Sequence, residues 1–440
     1  MYLLVRFTYS TMTKLFSKIA AVFDEEEDAR TCKDISDDAC KVVSANFWLI
    51  LFSQFFSKLA DALASAKVVL PWLMTSIGAP VFLSGLLVPI RESGSLIPQL
   101  FIGGYIRSFA LRKTFFVIGG VIQALSVLGM AWVVLNLSAM LGGLLIVALL
   151  TVFSLARGLC SIASKDVLGK TIAKQERGSL SGYAATAAGL IGMLVGLVLM
   201  LDINLQDTLP WLLFSAAIFW LISALLYQAI KEFKGETEGG ANGFLQALKS
   251  LSVLQEDRAF RQFVLTRSLM MSSGLSAPYF IILAQSNQAA NQYTHLGLFI
   301  VISGLASFVS AAVWGKLADH SSRWVILITA SLVTLLCLAG SVISLLNLSD
   351  NTFWVMTLFF LLSVTHQGVR LGRKTYLVNM AAGNQRTTYV AVSNTLIGFL
   401  LLIIGLISAG LAYFSLAAVF GIFALSSAAA LYIGWKMAEV

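Results

Sequence analysis

MLGGLLIVALLTVFSLARGLCSIA, residues 140–163, carries a single charged side chain, Arg157, in 24 residues. About 20 consecutive apolar residues cross the hydrocarbon core of a bilayer as a helix. In lipid such a segment must satisfy its backbone polar groups internally, which leaves a helix as the way for one strand of chain to cross. Eleven further apolar runs recur along the sequence, over 46–75, 80–106, 114–137, 179–201, 209–230, 263–287, 295–317, 324–347, 353–378, 388–412 and 415–435. Hydrophobic residues make up 58% of the 440 and charged residues 12%, against about 25% charged in soluble domains. The expected fold is an all-α membrane protein with twelve transmembrane helices.

The formal charge of +8 raises the question of nucleic acid, but its distribution points to orientation. The connections at 76–79, 138–139, 202–208, 288–294, 348–352 and 413–414 contain no Lys or Arg, whereas the opposite side gathers Arg112, Lys113, Lys170, Lys231, Arg261 and Arg323, among others. The positive-inside rule then puts both termini in the cytoplasm. The location expected is a bacterial inner membrane, with the bilayer, and not nucleic acid, as the surrounding partner.

Residues 1–45 read as a cytoplasmic tail whose first stretch, residues 1–23, interleaves Arg6, Lys14 and Lys18 with apolar residues. That pattern fits an interfacial amphipathic helix. Cys32 and Cys40 fall in this tail and Cys160 and Cys337 in spans. A reducing compartment argues against disulfides. No CxxC or HExxH spacing, P-loop or GxSxG motif appears, so no metal, cofactor, enzymatic or ATP-driven activity is expected.

Charges inside the spans carry the functional reading, because an ionisable residue at the centre of a membrane helix costs at least ~2.5 kcal/mol. Gln54, Lys58, Asp61 and Ser65 are spaced by four, three and four, which aligns them on one helix face. Lys58 and Asp61 are expected to pair. Lys67 falls opposite that face, where a packing role is expected. Arg91 and Glu92 stand at about the same depth in the next span, flanked by Pro89 and Pro98. A four-charge network of Lys58, Asp61, Arg91 and Glu92 follows, read as a substrate and proton site, with a lock between helices as the alternative. In THQGVRLGRK, residues 365–374, His366, Arg370 and Arg373 share a face and Gln367 adds an amide. His366 is the one histidine inside a span, and its charge can switch near neutral pH. It fits proton coupling or hydrogen-bonded packing. Lys58, Arg91, Arg157, Arg267 and Arg370 outnumber Asp61 and Glu92. Arginine's planar fork suits carboxylate or phosphate, so the expected substrate is a small organic anion bound by Lys58, Arg91, Arg157 and Arg370 with Gln54 and Gln367. Asp61, Glu92 and His366 are the expected proton-coupling groups.

KEFKGETEGGANG, residues 231–243, is the long polar, Gly-rich break. It divides the chain into halves of six spans, 46–231 and 263–437, joined by a cytoplasmic linker at 232–262. The halves echo each other: Arg157 and Arg370 are 213 residues apart, and Gly103 and Gly315 are 212 apart. On these features the sequence resembles the major facilitator superfamily. The most specific match is GKLADHSSR, residues 315–323, which is similar to that family's loop between the eighth and ninth helices. The resemblance implies two pseudo-symmetric six-helix bundles, a cavity lined by the first, fourth, seventh and tenth helices, and Arg157 as the fourth-helix arginine. It implies a conformational latch in which Gly315 allows close helix packing, Asp319 caps a neighbouring helix N-terminus and Arg323 pairs with it. The first-half copy, GGYIRSFALRK at 103–113, places Arg107 where the Asp is expected. The resemblance implies a monomeric, proton-coupled secondary transporter. The alternatives are a proton-driven exporter of drugs or amphiphiles, against which the absence of a Gly-Pro pair in the fifth span weighs, and a non-transporting receptor or scaffold.

Overall fold

The computed structural model describes residues 37–97, 105–106, 108–173, 176–201, 208–234, 252–285, 292–346, 348, 352–380 and 383–439. The stretch 1–23, Cys32, Arg107 and most of the 232–262 linker lie outside them. Within them the chain is helical and every apolar run read from the sequence falls on helix. In the first half these are α1 (Val43–Leu63), α2 (Val69–Ser76), α3 (Val81–Leu96), α4 (Lys113–Asn136), α5 (Ala139–Thr171), α6 (Glu176–Leu199) and α7 (Thr208–Gln228). The second half contains α8 (Arg258–Leu269), α9 (Ser272–Leu275), α10 (Ala277–Gln285), α11 (Gln292–His320), α12 (Ser322–Leu345), α13 (Thr352–Met380), α14 (Gly383–Ala412) and α15 (Leu416–Trp435). Among the described residues seven helices are long and apolar enough to cross a membrane. The first and seventh runs are each broken, into α1–α2 and α8–α10. Leu225, Phe308 and Leu425 are 70%, 70% and 72% exposed on helix surfaces, an apolar exterior that suits lipid and not water.

Each half packs largely on itself: α4 on α5 and α7, α1 on α6 and α7, α3 on α5, then α12 on α13 and α15, α11 on α13. Lipid tails are as apolar as Leu, so helix association in a bilayer relies on small residues and polar pairs. Ser53 and Ser223 exchange hydrogen bonds between α1 and α7, each hydroxyl reaching the other's carbonyl at 2.9 Å. Between α9 and α15, the Ser272 and Ser427 hydroxyls meet each other directly at 2.6 Å.

Two seams join the halves, α3 against α14 and α6 against α11. On the first, Gly405 lies against the Pro89 ring. On the second, Gly196 and Gly297 face each other, with a side chain at either blocked by the other's carbonyl.

At the end where α7 finishes and α8 begins, an acid closes each half. Glu232, which follows α7, accepts from the backbone N–H groups of Arg112 and Lys113 at 2.8–2.9 Å and from Lys170 Nζ at 2.9 Å. A carboxylate there complements the positive pole of α4. Glu439, which follows α15, binds Ser321 Oγ at the start of α12 and lies 3.9 Å from Arg323. Arg323 also donates to Trp435 O at 2.6 Å. Asp257 caps α8 by accepting from Phe260 N at 2.9 Å and ties it to α14 through Tyr389 Oη at 2.6 Å. Partial burial pushes the Asp257 carboxyl up, but the bonds from Tyr389 and the backbone pull it further down, so it stays below the ordinary range. Cys40 is disulfide-bonded, which corrects the expectation of free thiols in the tail; the redox argument concerned the compartment and not the reach between cysteines.

Replacing Gly405 with Leu would drive a side chain into the Pro89 ring. Overpacking of this kind costs about 1–3 kcal/mol, so thermal unfolding of the Gly405→Leu protein in detergent should fall by several degrees, whereas Gly410→Leu, which meets open space, should leave it unchanged.

Candidate substrate cavity

The breaks in the first and seventh runs arise locally. SAKVVLP (65–71) and SSGLSAP (272–278) both place serines just ahead of a proline. Serine side chains compete for backbone groups and proline withholds a donor. Ser65 Oγ accepts from Lys67 N at 3.3 Å, and the Ser65 carbonyl takes Leu70 N at 2.9 Å. Interrupted helices at corresponding places in two halves mark binding sites in transporter folds.

At these breaks Lys67 Nζ donates to His366 Nε2 at 3.0 Å, and His366 Nδ1 meets Ser273 Oγ at 3.0 Å. An ammonium group only donates. Nε2 must therefore accept, so the ring proton is assigned to Nδ1 and goes to Ser273 Oγ, which in turn donates to Met270 O at 3.0 Å. This chain links α1–α2, α13 and the α8–α9 junction, and so joins the two halves. A second proton on the imidazole would set two donors against each other at Nε2. Lys67 is thus part of the site, which corrects the packing role expected for it. The helix wheel does not carry its phase across the break at 64–68.

Asp61 lies between two guanidinium groups, with Arg91 Nη2 at 2.9 Å from Oδ1 and Arg157 Nη2 at 2.5 Å from Oδ2. Arg91 also stands over the Phe153 ring at 5.5 Å. This triad ties α1, α3 and α5 together and replaces the Lys58–Asp61 pair expected from the sequence. Arginine forks reach a carboxylate from neighbouring helices more squarely than a lysine three residues along the same helix.

Three cavities meet at this triad. The largest, of about 510 Å³, lies between α1, α6, α11 and α13, and Lys58, Asp61, Gln367 and Arg370 line it beside small residues of α6 and α11. Gln367 Nε2 donates to Ser307 Oγ at 2.7 Å. A second, of about 220 Å³, is enclosed by the first half and bounded by Gln54, Lys58, Asp61, Gln123, Arg157 and Cys160. The third, of about 310 Å³, holds Lys67, Arg91, Glu92, Arg157, Arg267, His366, Arg370 and Arg373 in its wall. Arg267 bonds Ser393 Oγ at 2.8 Å and Asn394 Oδ1 at 2.9 Å, and its Nε is buried without a partner among the described residues. Buried Trp72, Phe299 and Phe359 pack ring to ring at the end away from Glu232. Arg370 is exposed within the wall.

All nine substrate and proton residues read from the sequence therefore line these joined cavities. The sequence reading missed Lys67 and left Arg267 and Arg373 out of the substrate and proton residues. Gly315, Asp319 and Arg323 lie apart, at the Glu232 end. A side chain at Gly315 would meet nothing within 4 Å, so the close packing expected there is not present. Asp319 sits in the last turn of α11, and its side chain is outside the described residues. Arg323 has Trp435 and Glu439 as partners, as given above. Tyr279 is buried and bonds Ser408 at 3.3 Å, whereas Tyr183 is 63% exposed.

Removing one partner from a buried ion pair costs about 3–5 kcal/mol because the remaining charge is left uncompensated. Asp61→Asn leaves two such charges, so its unfolding temperature in detergent should drop clearly. The drop should be smaller for the double variant Asp61→Asn with Arg157→Gln. Equal losses would show that the triad does not neutralise itself in this way.

The sequence profile of the Major Facilitator Superfamily matches residues 50–343. No curated protein matches the chain. Among solved structures, a point mutant of the nucleoside transporter NupG superposes with a TM-score of 0.68 at 12% identity, covering 88% of this chain and 99% of that one. A D-xylose-proton symporter superposes with a TM-score of 0.64 at 16% identity, covering 91% and 97%. A POT family transporter in complex with a thioalcohol-conjugated peptide gives 0.67 at 11% identity, covering 89% and 95%. At these identities the likeness speaks for the fold.

Proposed function

Since the chain belongs to the Major Facilitator Superfamily, whose members are transporters, we propose that it moves a small organic anion across the membrane by alternating access, coupled to protons. The observation that carries this reading is the excess of cations over acids in the walls of the central cavities. Excess charge in a low-dielectric site is costly until a counter-ion completes it. Lys58, Arg91, Arg157 and Arg370 bind the anion, and Gln54 and Gln367 orient its polar remainder. Protons act at Asp61, Glu92 and His366. In support of this, the Glu92 carboxylate faces the charged cavity without a hydrogen bond among the described residues, and His366 joins the halves through Lys67. One structural neighbour is a D-xylose-proton symporter.

The same proposal has twelve crossings in two six-helix bundles, 46–231 and 263–437, with the 232–262 linker and both termini in the cytoplasm of a bacterium. The protein works as a monomer in the inner membrane. The aromatic seal then lies on the outer side and the open cavities face inward. Gly315, Asp319 and Arg323 act as a latch in the opposite state, in which α11 meets its neighbours more closely.

Uptake into proteoliposomes under an imposed pH gradient tests this. Organic anions should accumulate and matched neutral solutes should not. Asp61→Asn, Glu92→Gln or His366→Gln should abolish gradient-driven accumulation while counterflow exchange persists in at least one of them. Lys58→Gln and Arg370→Gln should raise KM severalfold. Accumulation of neutral solutes, or accumulation that ignores the gradient in the wild type and all three proton-site variants, would sink the reading.

A further inference from the structure

The 310 Å³ cavity has a composition that a singly charged solute does not balance. Six cations line it: Lys67, Arg91, Arg157, Arg267, Arg370 and Arg373. Against them stand Glu92 in the wall and Asp61 behind it, already shared by Arg91 and Arg157. Four positive charges remain. Lys67 spends one hydrogen bond on neutral His366, and Arg267 is met only by the neutral oxygens of Ser393 and Asn394. Neither Arg370 nor Arg373 has a hydrogen-bond or ion-pair partner among the described residues.

We infer that this cavity is a subsite for the dianionic phosphate group of a phosphate monoester, with the organic part of the solute extending past Arg370 into the 510 Å³ cavity. The inference rests on the anion-transport reading and narrows it. Two charges on one compact group suit cations that converge on one small cavity from α3, α5, α8 and α13, whereas a dicarboxylate would need two separated sites. A phosphate group offers three strong acceptor oxygens, and guanidinium forks bind phosphate bidentately. Arg370 borders both cavities, so it stands where the ester oxygen would pass from one to the other. The small residues of the 510 Å³ cavity, among them Gly189, Gly192 and Gly304, leave room for the organic part.

Calorimetric binding to the purified full-length protein, with glycerol 3-phosphate, inorganic phosphate, succinate, acetate and glycerol as probes, tests this. Glycerol 3-phosphate should bind at least tenfold tighter than succinate or acetate, and inorganic phosphate should compete with it. Arg373→Gln and Arg267→Gln should each weaken glycerol 3-phosphate at least tenfold and acetate by less than threefold. If either variant fails to fold, Arg373→Lys, which keeps the charge and loses the fork, should still weaken the phosphate ester at least threefold. Equal affinity for the phosphate ester, succinate and acetate overturns the phosphate subsite and leaves the anion reading standing. So does unchanged phosphate binding in the folded variants. Binding of glycerol alone, or of none of the anions, overturns both.

Discussion

A carboxylate held among apolar helices must be neutralised where it stands, and the structure is arranged around that requirement at Asp61. Its two oxygens face guanidinium groups from two other helices, so three helices of the first half are fixed relative to one another by one side chain. The cavities that meet there take their shape from it: Lys58 and Gln54 lie on one side, and the arginine-rich chamber lies on the other. Glu232 solves a related problem at the edge of the first half. There backbone N–H groups and one lysine do what the arginines do at the centre, and Glu439 does the corresponding work after the last helix, 207 residues later.

The internal repeat goes deeper than helix order. Each half begins with a broken helix, bonds its first and last helices through a serine pair, and ends with an acid docked on the start of its third long helix. The halves differ where their charges are concerned. The first half contains the carboxylate that gathers arginines, whereas the second offers His366, Arg370 and Arg373 on one face of α13 and, among the described residues, no carboxylate to the cavity walls. The division makes the chamber between them one-sided in charge, and it is the asymmetry, more than the symmetry, that bears on what the protein carries.

How much of this was legible in the sequence depended on whether an unbroken helix could be assumed. The apolar runs fell on helices, and the spacing of Gln54, Lys58 and Asp61 placed them on a cavity-lining face because α1 is regular up to Leu63. Arg91 was expected in a network with Lys58, Asp61 and Glu92, and within it Arg91 pairs with Asp61. Past Leu63 the wheel loses its phase, and Lys67 arrives in the centre where regular geometry had sent it to the far side. The serines and proline that break the chain were visible, but their consequence for Lys67 was not. Arg323 was matched to Asp319 from a nearby motif, yet its described partners lie more than 100 residues on, a distance over which periodicity carries no information. Glu232 sat unread in a polar linker, because only the docking of α7 against α4 brings it to two free backbone N–H groups.

The seams between the halves bring glycine against proline and glycine against glycine, so the helices approach closely at those points. Side chains that mesh like gear teeth must climb over one another when surfaces slide. Smooth surfaces of this kind keep their dispersion contacts through small displacements and have few rotamers to reset. Resistance to a rocking motion is then concentrated away from the pivots, at the aromatic seal and at the hydrogen-bonded contact between Lys67 and His366. In the rocking cycle proposed above, the seams would serve as the axis, and the contacts at the ends and centre would set how long each state lasts.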